Sequence, residues 1–427
     1  MNAKTTFAKI AALVLVALSW ATPARADAPA AEVPRLTEEE VLRRWLSKSP
    51  EVAAWRTQVG AARFDVVSAR LWPNPEIDVG GSKLVGGTPP DGLSEIEAKV
   101  TVPLPVFGQV AARAAAASAL VSVAEATVAS LLWERASEIQ RAMVERAYAD
   151  ARVVMLERNI EELDRIRRIV AVRATAGASG AYDVLRVDTA AGTIRATLDN
   201  ARVERARADA KLVALVADPE LTSTPIDRES LAAFRGSDDE GVLVRGALER
   251  RPDLALARRG ARAAEAQATQ KRREAIPTPS LYGGALWVQG PYGLQITAGV
   301  SVPLPLFDRN QGAIGRALAE AQGAELLARA LETRIRAEVS GAWRARRDAR
   351  AALDVFRAQS LVAATELLGR AERTYQVGAF SITELLDAHR TMWEARIQEL
   401  DLDRQRAEAE AEVERAAVLL PVAPLGK

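Results

Sequence analysis

Few residues in this chain are of a type and spacing that could do chemistry, and they argue against an enzyme. His389 is the only histidine and there is no cysteine. A histidine-based zinc hydrolase would therefore need an unusual ligand set, and disulfides, thiolate metal sites and a cysteine nucleophile are excluded. No G-x-S-x-G elbow is present, and no glycine-rich loop has the strand-to-helix context that cradles phosphate. Paired carboxylates abound, but they fall on highly charged stretches where acids belong to solvated helix faces. His389 itself reads as a helix-surface or packing residue. No cofactor and no catalytic or metal-ligating residue is expected.

The bulk properties fit a folded chain of large extent. Its 427 residues are 49% hydrophobic and 26% charged, which argues against a disordered or collagenous polymer. A formal charge of +1 gives no reason to expect a nucleic-acid partner. Residues 1–26 combine Lys4 and Lys9, an apolar stretch over 10–21 and the small-residue ending Ala24-Arg25-Ala26, the pattern of a cleaved secretory signal. No apolar run of about 20 residues follows it, so helical membrane spanning is not expected. Without cysteine there can be no cysteine-linked lipid anchor.

An internal repeat organises the remainder. Val102-Pro103-Leu104-Pro105-Val106-Phe107 recurs as Val302-Pro303-Leu304-Pro305-Leu306-Phe307, displaced by 200 residues. Trp72-Pro73-Asn74-Pro75 corresponds to Ile276-Pro277-Thr278-Pro279, Ser49-Pro50-Glu51 to Arg251-Pro252-Asp253, and Gly177 with Asp183-Val184-Leu185 to Gly378 with Glu384-Leu385-Leu386. The chain divides into an export signal (1–26), a first repeat (27–220) and a second (221–427). After Pro105 and Pro305 there is no proline for 113 and 115 residues, room for very long helices. Val153, Leu156, Ile160, Leu163, Ile166 and Val170 form a coiled-coil-like seam in the first interval; Leu326-Leu327, Leu331, Ile335, Val339 and Trp343 form a stripe in the second. Gly177 and Gly180 in one interval, and Gly378 in the other, mark turns at which each long helix reverses. Helices of about 60 residues, or about 90 Å, are expected.

Before each long interval the period becomes two. Glu97, Lys99 and Thr101 alternate with Ala98, Val100 and Val102, and residues 294–302 alternate likewise, with partner strands around 76–84 and 280–288. Glu97, Lys99 and Thr101 are assigned to a wet lumen and the intervening residues to lipid or barrel packing. Trp72, Tyr282, Trp287 and Tyr292 fall where an interfacial aromatic belt would lie. The turns at Pro89-Pro90-Asp91-Gly92 and Gln289-Gly290-Pro291 read as extracellular loops. Pro103, Pro105 and Phe107, with Pro303, Pro305 and Phe307, mark structural junctions between strand and helix. Four strands cannot close a barrel, and a lipid-facing sheet cannot keep open edges, so three copies supplying twelve strands are expected.

On these motifs, above all Ser301-Val302-Pro303-Leu304-Pro305-Leu306-Phe307-Asp308-Arg309-Asn310-Gln311-Gly312 and Tyr375-Gln376-Val377-Gly378 with Glu384-Leu385-Leu386-Asp387, the chain resembles the outer membrane efflux protein family, the TolC-like channels. Within it, the first motif resembles the cobalt–zinc–cadmium resistance branch. The resemblance implies a mainly α-helical homotrimer with a transmembrane β-barrel and a long periplasmic α-helical barrel. It also implies a periplasmic membrane-fusion adaptor, an inner-membrane resistance-nodulation-division pump, outer membrane lipid as surroundings and a passive duct for divalent heavy-metal cations. The family's periplasmic gate positions fall on Glu384 and Asp387, which would stack as two acidic rings, and on Tyr375. Phe380 stands where that network has a basic residue, implying aromatic packing in place of an ionic contact. Asp183 is the first-repeat counterpart of Glu384, while Arg186 replaces the second acid. A drug-efflux duct, and more distantly a periplasmic coiled-coil adaptor or structural protein, are the alternatives.

Overall fold

The structure is a computed structural model that describes residues 35–83, 85, 94–175, 180–231, 233–290 and 293–419. The expected signal segment, the Pro89-Pro90-Asp91-Gly92 turn, Gly177, Pro291 and Tyr292 lie outside the described residues. The first half runs α1 (Glu38–Lys48), α2 (Pro50–Arg70), β1 (Glu76–Lys83), β2 (Ser94–Pro103), α3 (Gln109–Thr175) and α4 (Ala181–Val216). A 3-10 turn (Pro219–Ser223) and α5 (Arg228–Leu231) lead into α6 (Glu240–Arg250), α7 (Pro252–Glu274), β3 (Ser280–Val288), β4 (Gly293–Ser301), α8 (Gln311–Phe356), α9 (Val362–Gln376) and α10 (Ile382–Ala417). The same order of elements thus occurs twice. Pro50 and Pro252 each open a helix behind an extended residue, where proline lacks no needed donor and its fixed φ is already helical.

At 67 residues α3 is about 100 Å long. Val153, Leu156, Leu163, Ile166 and Val170 of its seam are buried. In α8 the buried line passes through Ala321, Ala328, Ile335, Val339 and Ala342, leaving Leu326 and Leu327 beside it at 56% and 72% exposure. The expected stripe was too wide there, because small alanines rather than leucines make the close contact. α3 is also long and apolar enough, over one 18-residue stretch, to cross a membrane by length and composition. That corrects the expectation of no such stretch; α3 packs along α2, α4 and α7 instead.

Between α8 and α9 the helix widens into one π turn over Arg357–Leu361. Upstream of it, buried positions of the two repeats correspond at an offset of 200: Ile139 with Val339, Ala142 with Ala342, Arg146 with Arg346, Val153 with Leu353. Downstream the offset is 201: Leu163 with Ala364 and Val170 with Ala371. The second repeat carries one extra residue, and an i→i+5 turn absorbs it without rotating the buried face on either side.

Four apolar clusters lie along the helices. In the largest, Trp45 of α1 meets Ile139 and Met143 of α3, Leu212 of α4 and Leu221 of the 3-10 turn. Arg146, 1% exposed, fastens that turn: its guanidinium donates to the carbonyls of Leu221, Thr222 and Thr224 and pairs with Asp209. Nearby, buried Glu38 accepts from Arg235 at 2.6 Å, and Glu414 accepts from the Arg235 amide at 3.1 Å and from Gln140 at 2.7 Å. Burial pushes both carboxyls above their ordinary range, against the pull of the single Arg235 cation.

The strands form one antiparallel sheet in the order β1-β2-β3-β4.

Candidate functional site

The sheet and the helical tip are where the candidate residues gather. In the sheet, register decides the faces. Ile77 opposes Val100, Val79 opposes Ala98, Ile96 opposes Trp287, Val102 opposes Leu281, and Leu281 opposes Val300. Strand alternation therefore collects an apolar face across all four strands. This face is bare: Ile77, Val79, Ile296 and Val300 are 72%, 73%, 82% and 65% exposed. The opposite face is polar. Glu97, Lys99 and Thr101 lie on it with Asp78, whose carboxylate is 3.6 Å from the Lys99 ammonium, and with Gln295, Thr297 and Ser301. Trp287 is on the apolar face, as an interfacial aromatic would be. Tyr282 is not: it sits on the polar face with its ring over Gly299, where any added Cβ would strike the phenol. The aromatic-belt reading of Tyr282 is corrected by its position in the pleat, since it opposes Thr101 rather than an apolar residue.

At the junctions, Pro103 ends β2 and Pro105 is buried, while Phe107 is half exposed. Pro303, Pro305 and Phe307 are all exposed, Phe307 at 92%.

The tip is built from two hairpins. The α9–α10 turn closes α9 with the Ala379 amide donating to Thr374 and the Gly378 amide donating to Tyr375, a Schellman pair with Gly378 at φ +80. Only glycine takes that φ without strain. Three residues on, Ser381 and Glu384 form a capping box: the Ser381 amide donates to the Glu384 carboxylate at 2.7 Å and the Glu384 amide to the Ser381 hydroxyl at 3.4 Å. Accepting from the Ser381 amide, and from the Ser381 hydroxyl at 2.9 Å, holds the Glu384 carboxyl below its usual range. Asp183 does the same work in the first hairpin, accepting from the Gly180 amide at 3.2 Å while its own amide donates to the Gly180 carbonyl. The two acids that correspond between repeats are thus both N3 residues that lock a helix start.

Tyr375 is buried, and the cation beside it is Arg173 from the end of α3. Its guanidinium stacks 4.7 Å from the Tyr375 ring centroid and donates to the Tyr375 carbonyl at 3.2 Å. Phe380 is 37% exposed. Sequence reasoning passed over Arg173; the available signal was a basic residue in the last turn of a helix, where cations favour the terminal carbonyls. Exposed Asp387 lies on a groove of about 830 Å³ between α4 and α10, together with Arg186, Arg390, Trp393 and His389. Arg186 also bonds the Thr383 hydroxyl. His389 is packed, its Nε2 3.5 Å from Glu372, and burial pushes its imidazole below the ordinary histidine value despite Glu372 and Glu162. Among the described residues no group of acidic or histidine side chains could hold a metal.

A helical rod continuous with a sheet that is apolar on one side and polar on the other is the protomer of a membrane channel. The chain belongs to the family described as Outer membrane efflux protein, whose model matches residues 41–218 and 243–417. It is similar to the cobalt-zinc-cadmium resistance protein CzcC of Cupriavidus metallidurans, at 23% identity over 367 residues covering 86% of each chain. Protein CyaE of Bordetella pertussis is 28% identical over 396 residues, 89% of this chain and 82% of the relative. Among solved structures, CusC superposes with a TM-score of 0.74 at 19% identity, covering 89% of this chain and 92% of the other. The protein is therefore an outer-membrane channel of an efflux-type transport system, a conduit rather than an enzyme, with long α-helical hairpins joined to its sheet.

Proposed function

We propose that three copies of this chain form one duct, in which three four-stranded sheets close a twelve-stranded barrel and the helical hairpins continue it through the periplasm. Glu97, Lys99 and Thr101 then line the lumen. The tips engage a periplasmic membrane-fusion adaptor and, through it, an inner-membrane resistance-nodulation-division pump that supplies the energy. The observation that carries this reading is the bare, two-faced sheet with open edges at β1 and β4. Such a sheet exposes unpaired backbone at both edges, which lipid does not tolerate, so closure must come from other copies. Native mass of the detergent-solubilised protein, heat-modifiable migration and conductance in planar bilayers test it. A monomeric mass or a non-conducting preparation would sink it.

We infer that the cargo extends beyond divalent metals to drugs and other small solutes. Glu384 and Asp183 are engaged in helix capping, and Asp387 shares its groove with Arg186 and Arg390. Mixed charge of this kind favours no one ion strongly. The heavy-metal reading keeps one specific support, the likeness to CzcC along 86% of the chain. Deleting the gene and challenging the strain with divalent metals and with hydrophobic drugs separates the two. Sensitivity to metals alone would overturn the broader cargo.

A further inference from the structure

Where the helices meet the sheet, the charge balance of the chain breaks down. Four helix ends lie side by side in this layer. Arg113 near the start of α3 donates to the carbonyls of Ala69 and Leu71 at the end of α2, Gln109 of α3 donates to the Ile276 carbonyl after α7, and Asn310 before α8 donates to the Lys271 carbonyl of α7 at 2.9 Å. The linking segments, residues 69–75, 103–113, 271–279 and 302–312, hold six cations and only two carboxylates, although the whole chain is nearly neutral. Both carboxylates are engaged: Glu274 pairs with Lys271 at 2.8 Å, and Asp308 accepts from the Asn310 amide at 2.8 Å. Arg70, Arg272, Arg273 and Arg309 are exposed and have no carboxylate partner among the described residues. The far end of the sheet is not basic, since residues 83–95 and 288–294 hold one cation and two carboxylates. Helix dipoles favour Arg70, Arg272 and Arg273 in the last turns of α2 and α7, but Arg309 precedes the positive end of α8, where a dipole disfavours it.

We propose that this layer is a belt that binds the headgroups of anionic phospholipids in the leaflet on the helical side of the membrane, with the four exposed arginines holding lipid phosphate. Its depth fits that partner. The belt adjoins one end of the bare apolar face of the sheet, where hydrocarbon gives way to headgroups. An arginine fork takes two phosphate oxygens at once, and cations at a charged membrane surface attract lipid of opposite sign. Exposed apolar side chains are interleaved with the cations, Leu71 at 61%, Trp72 at 53% and Phe107 at 51%, and supply the other half of an interfacial surface, which a free anion would not use. Assignment to the periplasmic leaflet rests on the channel reading above, in which the helices run through the periplasm. The preference for anionic lipid does not, because each copy carries the whole belt.

Trp72 lies within the belt and reports on it. The full chain carrying Trp287→Phe keeps Trp72 as the one tryptophan next to the sheet among the described residues. It is reconstituted in phosphatidylcholine vesicles containing brominated phosphatidylglycerol or, separately, brominated phosphatidylcholine, and quenching of indole fluorescence by bromine is read. At equal mole fraction phosphatidylglycerol should quench more strongly, and high salt should reduce the excess. Combining Arg70→Gln, Arg272→Gln, Arg273→Gln and Arg309→Gln should abolish the excess while quenching by brominated phosphatidylcholine and the far-ultraviolet circular dichroism stay unchanged. Lys83→Gln at the far end should retain it. Equal quenching by the two lipids with the arginines intact overturns the proposal, as does an excess that survives the fourfold substitution or is lost with Lys83→Gln. Loss of the excess in inorganic phosphate, but not in chloride of equal ionic strength, would make the ligand a free anion and overturn the lipid assignment. A monomeric native mass would remove the trimeric reading and leave the lipid preference standing, whereas protease cleavage of the helical hairpins in intact cells would overturn the periplasmic leaflet.

Discussion

Buried charge is the residue-scale theme. Arg146 satisfies three carbonyls and a carboxylate from a position that is 1% exposed. Removing one side of such a network strands the other in the interior, so Arg146→Met should cost about 3–5 kcal/mol of stability. Urea unfolding followed by circular dichroism in detergent reads this, and an unshifted midpoint would refute the fastening role. Ser381→Ala removes the hydroxyl half of the capping box and should cost about 1 kcal/mol, confined to the tip. Faster amide exchange in the first turn of α10, with the remainder of α10 unchanged, is the expected signature. These residues were visible only in part from sequence. A serine three places before a glutamate is a legible cap, but nothing local marks Arg146 as buried among carbonyls more than 70 residues away.

At the scale of elements, acidification should loosen the tip before the middle. Glu384 has its folded carboxyl pKa depressed by the Ser381 bonds, so the stability it contributes is present above the ordinary glutamate value and lost as pH falls through the folded one. His389, depressed by burial among Glu372, Glu162 and Arg396, adds stability present above the ordinary histidine value and lost below it. Glu38 and Glu414 have raised pKa values, so protonation relieves their burial and acts in the opposite sense. Hydrogen exchange at pH 7 and pH 5 should show the α9–α10 hairpin loosening through His389 alone, with the Glu384 contribution lost only on further acidification below the ordinary glutamate value, and with the α1–α3 contacts held at pH 5; the reverse order would contradict the assignment. The π turn makes a second element-scale prediction. Deleting exposed Ser360 should convert it to regular helix and leave both flanking buried faces in place. Deleting exposed Arg158 from α3 should rotate everything downstream by about 100° and break the seam of Leu163, Ile166 and Val170. Thermal unfolding should show a small shift for the first and loss of cooperative folding for the second. The offset change from 200 to 201 was present in the motifs, but only the location of the buried positions assigned it to one turn.

For the whole molecule, the two faces of the sheet set the outcome of charge substitution. Ala98→Arg places a cation on the apolar face and should cost about 2–4 kcal/mol near the membrane midplane, seen as reduced outer-membrane assembly. Glu97→Arg, one residue away on the polar face, should assemble normally. Equal loss in both would contradict the division of faces. Because Glu384 is engaged in capping and Asp387 lies beside Arg186 and Arg390, neutralising the tip with Glu384→Gln and Asp387→Asn together should leave ion preference in bilayer recordings little changed; a marked loss of cation preference would reinstate the acidic rings.

The sequence by itself determined the duplication, the four alternating strands, the proline-free helices and the family. These are periodic properties, repeated over enough residues that local preference and burial point the same way. Only the tertiary structure decided which partners those elements bring to one another. It put Tyr282 on the polar face, set alanines instead of Leu326 and Leu327 on the buried line, gave Tyr375 its cation from Arg173, and engaged Glu384 and Asp183 in capping. Each depends on a register or a contact between segments far apart in the chain, where a shift of one residue turns a side chain from one face to the other and no local pattern records the choice.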